Sequence, residues 1–333
     1  MSLARLDRRW IYLLVFLALS VPIITQYAVE PARMDDAERF FEVVEGIEPE
    51  PGRYAFVAMD FGPSTKGENQ PQARAVVEHL MRKRIPVIVF SLYYLAEPFL
   101  KSVPEEVARQ LEREHPGESW EYGRDWINLG YRPGAGVLIQ AIPKSENLAE
   151  LFEKDARGNR ISELPGFSGL RTLRQIAFLA EFTGLVGVFD NYVQYFTSKD
   201  YTPAFGHGCT SITIPEAFIY LDSGQIQGLL GGLAGAAWYS ELLRRRFPQR
   251  PVDESLMLNT GLGVAQLVII AFIVLGNLAG LLRSSSSRAS GSRASTSLRY
   301  AQDERGQRDN RRERDGQEGG SGRGKGPGED TES

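Results

Sequence analysis

Residues 54–92 read YAFVAMDFGPSTKGENQPQARAVVEHLMRKRIPVIVFSL, and the fold class follows from their pattern. The first seven residues form an apolar run that ends at Asp60, and residues 85–92 form a second apolar run. Between them lie a loop rich in turn-forming residues, 61–70, and an apolar stripe of helical spacing, Pro71 to Arg84. A strand, a loop, a helix and a strand in this order form the repeating unit of a parallel β-sheet.

Predicted helices and strands continue to alternate along the chain up to residue 255, although less regularly. Apolar patterns predict helices over 103–114, 147–155, 172–182 and 225–246, strands over 126–129, 185–190 and 209–214, and either element over 134–142. Five glycines between residues 224 and 235 crowd one side of the last predicted helix, which indicates close packing by a sheet, a partner helix or a ligand. The alternation predicts an α/β fold, an open and mostly parallel sheet with helices on both faces.

Two uncharged apolar segments flank this domain. Trp10 to Tyr27 spans about 18 residues, nearly enough to cross a hydrocarbon core of about 30 Å. Leu256 to Leu282 spans about 27 residues, enough to cross with some tilt. The sequence therefore predicts two transmembrane helices, over 10–27 and 256–282, with the α/β domain between them. A cleaved signal peptide is the alternative for the first segment, because Ala18-Leu19-Ser20 resembles a small-x-small cleavage site.

The distribution of arginines orients the chain in the membrane. Arg8 and Arg9 precede the first span, so the positive-inside rule places residues 1–9 in the cytoplasm and the domain, residues 28–255, outside. Arg288, Arg293 and Arg299 follow the second span with no acid in residues 284–302, which places the tail in the cytoplasm too. The four arginines between residues 244 and 250 oppose this orientation, but large translocated domains follow charge poorly. The expected location is a two-pass protein of the cell membrane with its bulk extracytoplasmic.

Composition narrows the function classes. The net charge is -4, and because each end carries about +2, the middle carries about −8. Such an acidic balance argues against a nucleic-acid partner. The tail, residues 283–333, consists mostly of Ser, Gly, Arg, Asp and Glu and is expected to be disordered. The single cysteine, Cys209, cannot form an intramolecular disulfide, and we expect a small buried side chain.

Polar residues mark one face of the second span. Asn259, Gln266 and Asn277 are 7 and 11 residues apart, a spacing that keeps them on one side of a helix. Gly276 and Gly280 form a small-xxx-small pair beside them. Amides in lipid seek partners and glycines let backbones approach. The pattern predicts a helix contact, either with the first span or with another membrane subunit, including a second copy of the chain.

The first candidate ligand site is the loop after the first strand. In open α/β sheets ligands bind beyond the carboxyl ends of strands, near helix N-termini. The loop offers a carboxylate, hydroxyls, an ammonium and an amide, on Asp60, Ser64, Thr65, Lys66, Glu68 and Asn69. The Gly-Lys-Ser/Thr order of a phosphate-binding P-loop is absent. The alternative is an ordinary polar loop in which side chains cap the local backbone.

His207 and Asp222 are further candidates for ligand binding. His207 lies between two glycines, just before a predicted strand, and with Cys209 offers two potential metal ligands. A zinc site needs three or four ligands, so no metal site is predicted, and no cofactor is identifiable. Asp222 is a suitable N-cap for the helix predicted after it. Together with Glu216 it is also a candidate to line the same mouth as Asp60.

Three segments resemble a family of uncharacterised bacterial membrane proteins in which two transmembrane helices flank an α/β domain. They are DFGPSTKGENQPQ (60–72), YGRDWINLGYRPG (122–134) and IPEAFIYLDSGQIQGLLGGLAGAAWY (214–239). The resemblance covers most of residues 54–243. It implies a bacterial origin and a single membrane-tethered domain, and it carries no activity.

Two functions from different classes fit these observations. The leading hypothesis is a non-enzymatic module that binds a ligand or partner outside the cytoplasm, as a subunit of a larger membrane assembly. The alternative is a membrane-tethered hydrolase or transferase that uses Asp60, Lys66, Glu68 and His207. Convergence of the Asp60, His207 and Asp222 side chains in one concave pocket favours the enzyme.

Overall fold

The structure, a computed structural model, describes residues 8–278. Six parallel strands form one sheet in this part of the chain: β1 (Tyr54–Asp60), β2 (Val87–Ser91), β3 (Trp126–Tyr131), β4 (Ile176–Thr183), β5 (Ala204–Cys209) and β6 (Gly228–Gly231). The strand order is β3-β2-β1-β4-β5-β6. The winding therefore reverses between β1 and β4, as in doubly wound α/β folds. The predicted open α/β sheet is confirmed, and all five strand pairs are parallel.

Helices cover both faces of the sheet, and the first and last described helices belong to neither of its hydrophobic cores. Their bounds are α1 (Arg8–Thr25), α2 (Asp35–Glu45), α3 (Lys66–Arg82), α4 (Glu97–Glu114), α5 (Ala135–Ala141), α6 (Leu148–Phe152), α7 (Phe189–Tyr195), α8 (Ile214–Asp222), α9 (Gly232–Arg246) and α10 (Glu254–Leu278). Helices α2, α3, α4 and α9 share one hydrophobic core with the sheet, and α5 to α8 share the other. Cys209 faces the second core as a buried free thiol, as predicted.

The central strand β1 is apolar up to its last residue because both of its faces are buried. Phe56 and Ala58 belong to the core under α5 to α8, whereas Val57 and Met59 belong to the core under α2, α3, α4 and α9. Side chains of a strand alternate between faces, so a strand covered on both sides reads as one continuous apolar run. Asp60, at its carboxyl end, is also fully buried.

Two predictions in the middle of the chain are wrong. The predicted helix over 172–182 is a short 3-10 turn, Leu173–Gln175, followed by the central strand β4. Its sequence, IAFLAEFT, is buried throughout, and a short apolar run without alternation does not distinguish a buried strand from a buried helix. The predicted strand over 185–190 is a loop that leads into α7.

Several boundaries after residue 200 are wrong for a related reason. The predicted strand over 209–214 ends where it was expected to begin, since β5 stops at Cys209 and α8 starts at Ile214. The predicted long helix over 225–246 is β6 followed by α9. Glycines at the strand positions let a helix pack directly on the backbone: a Cβ at Gly228 would lie 2.3 Å from Cα of Phe40 in α2. The close packing that the glycines allow was correctly inferred from the sequence, but they were assigned to a helix, whereas Gly228 and Gly231 lie in strand β6.

One described helix is long and apolar enough to cross a membrane. It is α10, with 25 residues, and its apolar side chains are mostly exposed. Helix α1 has 18 residues, which is about 27 Å and short of a hydrocarbon core of about 30 Å. The first predicted span, residues 10–27, therefore stays a prediction. Residues 283–333, predicted to be disordered, lie outside the described part of the chain.

Candidate functional site

Asp60 lies at the point where the winding of the sheet reverses, but it is closed off from solvent. It pairs in register with Thr183, the last residue of β4. Its Oδ1 accepts hydrogen bonds from Ser91 Oγ at 2.8 Å and from the Leu92 N–H at 2.6 Å. Its Oδ2 accepts one from the Tyr192 hydroxyl at 2.7 Å. The carboxyl group thereby ties β1 to the end of β2 and to α7, beneath the loops.

Burial raises the pKa of Asp60 to about 6, and the hydrogen bonds from Tyr192, Leu92 and Ser91 oppose this shift. Removal of a carboxylate from water disfavours its ionised form, and donors compensate only in part. Asp60 is therefore a weak acid that changes its protonation near neutral pH while it stays inside the domain.

We expect Asp60→Asn to remove a pH dependence of stability. Because the folded-state pKa is raised, the native fold loses stability as the pH rises from about 4 to about 6, by about 3 kcal/mol. Asparagine keeps an oxygen for Ser91 and Leu92 and offers an N–H to the Tyr192 oxygen. Urea unfolding of the detergent-solubilised chain should show the variant gaining about 3 kcal/mol on the native protein between pH 4 and pH 7.

Asp222→Asn is the matched control for this measurement, because Asp222 is exposed at the end of α8. Its unfolding profile should parallel that of the native chain. If the profile of Asp60→Asn is parallel as well, a buried and weakly acidic Asp60 is ruled out.

The crevice expected between β1 and β4 is filled. A Cβ placed on Gly184, just after β4, would lie 2.7 Å from the methyl carbons of both Thr65 and Thr210. These three residues come from the loops after β4, β1 and β5 and pack against one another. Packing at this density leaves no room for a substrate at the base of the crevice.

Asn69 and Gln72 hold α3 onto the carboxyl ends of the strands. Both are fully buried. Gln72 Nε2 lies 2.9 Å from the carbonyl oxygens of Cys209, Leu230 and Gly232, so its two N–H groups are shared among three acceptors. Asn69 Nδ2 donates to Gln72 Oε1 at 3.0 Å. These two amides donate hydrogen bonds to backbone carbonyls at the strand ends. This role of Gln72, which lies within a helix, was not predicted from the sequence.

The remaining candidates of the β1–α3 loop do not converge. Glu68 Oε2 accepts hydrogen bonds from the Ser211 N–H at 2.8 Å and from its hydroxyl at 2.6 Å, which fastens α3 to the loop after β5. Ser64 and Lys66 are exposed. Helix α3 begins at Lys66 rather than Pro71, so the loop is shorter than predicted. Of the other candidate atoms, Thr65 Oγ1 and Asn69 Oδ1 are buried without a hydrogen-bond partner among the described residues.

His207 lies inside β5, not ahead of a strand, and forms a buried pair with Glu181. The two residues are register partners on β5 and β4, with His207 Nδ1 2.6 Å from Glu181 Oε2. Burial, and then the charge of Asp60, raises the pKa of Glu181, and burial lowers the pKa of His207 to about 3. Both shifts favour the neutral forms. The adjoining cavity measures about 10 Å³, room for about one water molecule.

Asp222 lies away from the other candidates. It ends α8, a helix that starts beyond the carboxyl end of β5 and returns to the amino end of β6. It is therefore no N-cap, and it does not share a mouth with Asp60. Strand β4 separates Asp60 from His207, which corresponds to about 10 Å between their strands. Asp60, His207 and Asp222 thus do not meet in one pocket.

A cavity of about 530 Å³ lies beside β3, and we name it the β3 cavity. Ligand pockets are commonly between about 300 and 1,000 Å³. It is lined by Glu97, Lys101 and Glu105 of α4, by Tyr122, by Trp126 and Asn128 of β3, and by Ala156 and Arg157. Because Trp126 and Asn128 are two apart on a strand, both face α4. Sequence reasoning missed this site because its walls are up to about 60 residues apart in the chain.

Ion pairs and ring contacts build one side of the β3 cavity. The Arg157 guanidinium lies 3.6 Å over the Tyr122 ring and donates to Glu105 Oε1 at 3.1 Å. The Tyr122 hydroxyl donates to Asp155 Oδ2 at 2.8 Å. The charges and rings of this side are therefore matched within the protein.

Unmatched groups lie on the other side of the β3 cavity. Trp126 is 3% exposed, and its Nε1 has no hydrogen-bond partner in the described part of the chain. Asn128 is 7% exposed, with its Oδ1 bonded to the Gly130 N–H at 2.7 Å. Within residues 8–278 neither the Asn128 amide nitrogen nor the Lys101 ammonium makes a hydrogen bond or an ion pair. The Trp126 nitrogen is enclosed by the protein, whereas Lys101 is exposed, so the donors open to an incoming acceptor are those of Asn128 and Lys101.

The outer edge of β3 is also occupied. The Gly123 N–H donates to Trp126 O and the Ala156 N–H donates to Asn128 O, each at 2.8 Å. These bonds come from the segments on either side of the β3 cavity, so they fix its walls to the sheet.

Most of the residues predicted to form a helix contact on the second span make no such contact within residues 8–278. Gln266 and Asn277 are exposed, Asn259 is half-buried, and no hydrogen bond involves these amides within residues 8–278. No atom lies within 4 Å of a Cβ placed on Gly276, and Gly280 lies outside the described residues. Helices α1 and α10 meet instead at Gly261, where a Cβ would lie 3.3 Å from Cα of Leu19.

No family model, curated protein or solved structure matches the chain. The resemblance to uncharacterised bacterial membrane proteins therefore stays an expectation. Among residues 8–278 no group of three or more His, Cys, Asp or Glu side chains is placed to hold a metal ion.

Proposed function

We propose that the chain is a membrane-anchored α/β module that binds a small ligand in the β3 cavity. The observation that carries this proposal is the difference in open space between two parts of the molecule. The cavity beside His207, near the carboxyl ends of β4 and β5, measures about 10 Å³. The β3 cavity measures about 530 Å³, and Asn128 and Lys101 in its wall keep donors that no acceptor within residues 8–278 uses.

Catalysis is supported less well than binding. A hydrolase or transferase built on Asp60, Lys66, Glu68 and His207 needs these groups at one reacting centre. Asp60 and Glu68 are bonded to other parts of the fold, Lys66 is exposed, and His207 lies on a strand that is not a neighbour of β1.

The proposal includes two membrane spans with the domain outside the cytoplasm. Helix α10 meets the requirements of a span. Helix α1 packs on it at Gly261, and Phe16 and Ile24 of α1 are 64% and 78% exposed, as expected of side chains that face lipid. The arginines at 244–250 that oppose this orientation are ion-paired parts of the folded domain. Reporter fusions after residues 150 and 333 test this topology. The reporter after residue 150 should lie outside the cytoplasm, and a cytoplasmic reporter there contradicts the topology.

Membership in a larger membrane assembly is supported by exposed apolar residues on loops and a helix at the carboxyl ends of the strands. Val137, Val186 and Ile212 are 77%, 78% and 89% exposed. Exposed apolar clusters mark interaction sites. In lipid, the unbonded amides of Gln266 and Asn277 add a second contact surface. Cross-linking in native membranes should give a species larger than the monomer, and a lone monomer contradicts the assembly.

Ligand binding is testable through Trp126. The full chain, labelled with 5-fluorotryptophan in detergent, should give one ¹⁹F signal for each of its four tryptophans, and Trp126→Phe identifies the relevant one. We expect at least one pool of amino acids, sugars or dicarboxylates to shift the Trp126 signal. Ala156→Phe should abolish the shift because Ala156 lines the β3 cavity, whereas Val137→Phe on α5 should not. If no pool shifts the signal, the binding role is refuted.

A further inference from the structure

Two opposite charges at the β3 cavity do not pair with each other. Glu97 and Lys101 are one turn apart on α4, in the order that favours an ion pair. Glu97 instead accepts the Tyr131 N–H with its Oε1 at 2.9 Å, and no ion pair joins it to Lys101 among the described residues. One carboxylate oxygen of Glu97 and the whole Lys101 ammonium are therefore available to a ligand.

The Asn128 side chain offers a donor to the β3 cavity. Its Oδ1 accepts the Gly130 N–H at 2.7 Å, and its amide nitrogen has no acceptor within residues 8–278. The Trp126 indole N–H is enclosed by the protein, so Trp126 contributes its ring to the wall and no hydrogen bond to a ligand. The Asn128 amide and the exposed Lys101 ammonium favour an oxygen acceptor that bears negative charge.

The charges of the lining balance. Glu105 and Arg157 neutralise each other at 3.1 Å, which leaves Glu97 and Lys101 as the two open charges. Both side chains are exposed, so a ligand with a single charge would pair with one of them and leave the other to water. A ligand that carries both signs, about one helical turn apart or less, satisfies both.

We infer that the β3 cavity takes a small zwitterion of the amino-acid kind, an inference that rests on the proposed function. The carboxylate of the ligand meets Lys101 and Asn128, its ammonium meets Glu97, and the Trp126 ring forms part of the wall beside it. A sugar fits less well, because sugars stack on open aromatic faces. Trp126 is nearly fully buried, and the Arg157 guanidinium covers the ring of Tyr122 at 3.6 Å.

The test uses three related probes on the full-length, 5-fluorotryptophan-labelled chain in detergent. L-phenylalanine carries both charges, 3-phenylpropanoate lacks the ammonium, and phenethylamine lacks the carboxylate. The Trp126 ¹⁹F signal should titrate with L-phenylalanine, and each single-charge analogue should bind at least about tenfold more weakly.

Two variants assign the charges of the ligand to residues. Lys101→Met should weaken L-phenylalanine and 3-phenylpropanoate at least about tenfold and leave phenethylamine unchanged. Glu97→Gln should weaken L-phenylalanine and phenethylamine and leave 3-phenylpropanoate unchanged. Lys144→Met, an exposed lysine that follows α5 on the other face of the sheet, is the matched control and should change nothing.

The possible outcomes distinguish failure of the zwitterion inference from failure of the proposed ligand binding. If the three probes bind equally, or a sugar pool shifts the Trp126 signal while L-phenylalanine does not, the zwitterion is wrong and ligand binding stands. If neither these probes nor any pool moves the signal, both fail.

Discussion

Arg250→Ala is expected to lower the free energy of unfolding by about 3–5 kcal/mol. The guanidinium donates to both oxygens of Glu78, at 2.8 and 2.9 Å, and to Asp253 Oδ2 at 2.6 Å. The side chains of Arg250 and Glu78 are fully buried. Burial opposes their ionisation, yet Arg250 lowers the pKa of Glu78 and holds that of Asp253 at about 2. Its removal leaves the mostly buried Asp253 carboxylate without a cation and Glu78 with Arg82, at 2.7 Å, and Arg74, at 3.8 Å, as its remaining partners.

The destabilisation caused by Arg250→Ala should extend to the start of α10. Asp253 Oδ1 accepts hydrogen bonds from the Ser255 hydroxyl at 2.7 Å and from the Leu256 N–H at 3.2 Å, as an N-cap does. Urea unfolding in detergent at pH 7 measures the effect. In Arg250→Ala the deficit should shrink as the pH falls toward 5, because protonation relieves the uncompensated carboxylate of Asp253.

Arg244→Ala is the control for Arg250→Ala. The Arg244 side chain is 46% exposed and pairs with Glu241 three residues earlier, so its loss should cost less than about 1 kcal/mol. Equal effects of the two substitutions would show that the buried pair contributes no more than a surface one.

Gly228→Ala is expected to destabilise the domain by about 3 kcal/mol or more. An added Cβ would lie 2.3 Å from Cα and 2.6 Å from the backbone N of Phe40. A side chain can rotate away from such a clash, but helix backbone moves only if α2 leaves the sheet. Thermal unfolding in detergent should show the loss.

Gly67→Ala is the matched control for Gly228→Ala. Gly67 lies in the first turn of α3, with no atom within 4 Å of an added Cβ, so alanine should be neutral or stabilising by up to about 1 kcal/mol. A Gly228→Ala protein that unfolds with the native profile contradicts the contact between α2 and β6.

The sequence predicted the parts of the fold that local pattern determines. The β1–α3–β2 unit was found because two apolar runs and a helical stripe follow one another within 39 residues. Strand β4 was missed because burial on both faces removes the alternation that identifies a strand. Strand β6 was missed because glycine has no preference for strands. Gly228 is needed there because the backbone of α2 packs directly on it.

The candidate site was predicted only in part, for a different physical reason. The position of Asp60 at a strand end follows from sequence, but its burial depends on Tyr192, which is 132 residues away. Glu181 had a signal that was not used, a lone carboxylate within an apolar run. The β3 cavity had none, because α4, β3 and residues 156–157 define it only after the chain has folded.

The hydrogen bonds along the outer edge of β3 restrict how copies of this chain associate. A sheet grows between molecules when an edge strand presents open backbone groups to a neighbour. Here Gly123 and Ala156 already donate to two of the carbonyl oxygens on that border. Continuous cross-molecule sheets, and the fibres they build, are therefore blocked on this side. A partner that docks on the β3 side has to bind through side chains rather than by extending the sheet.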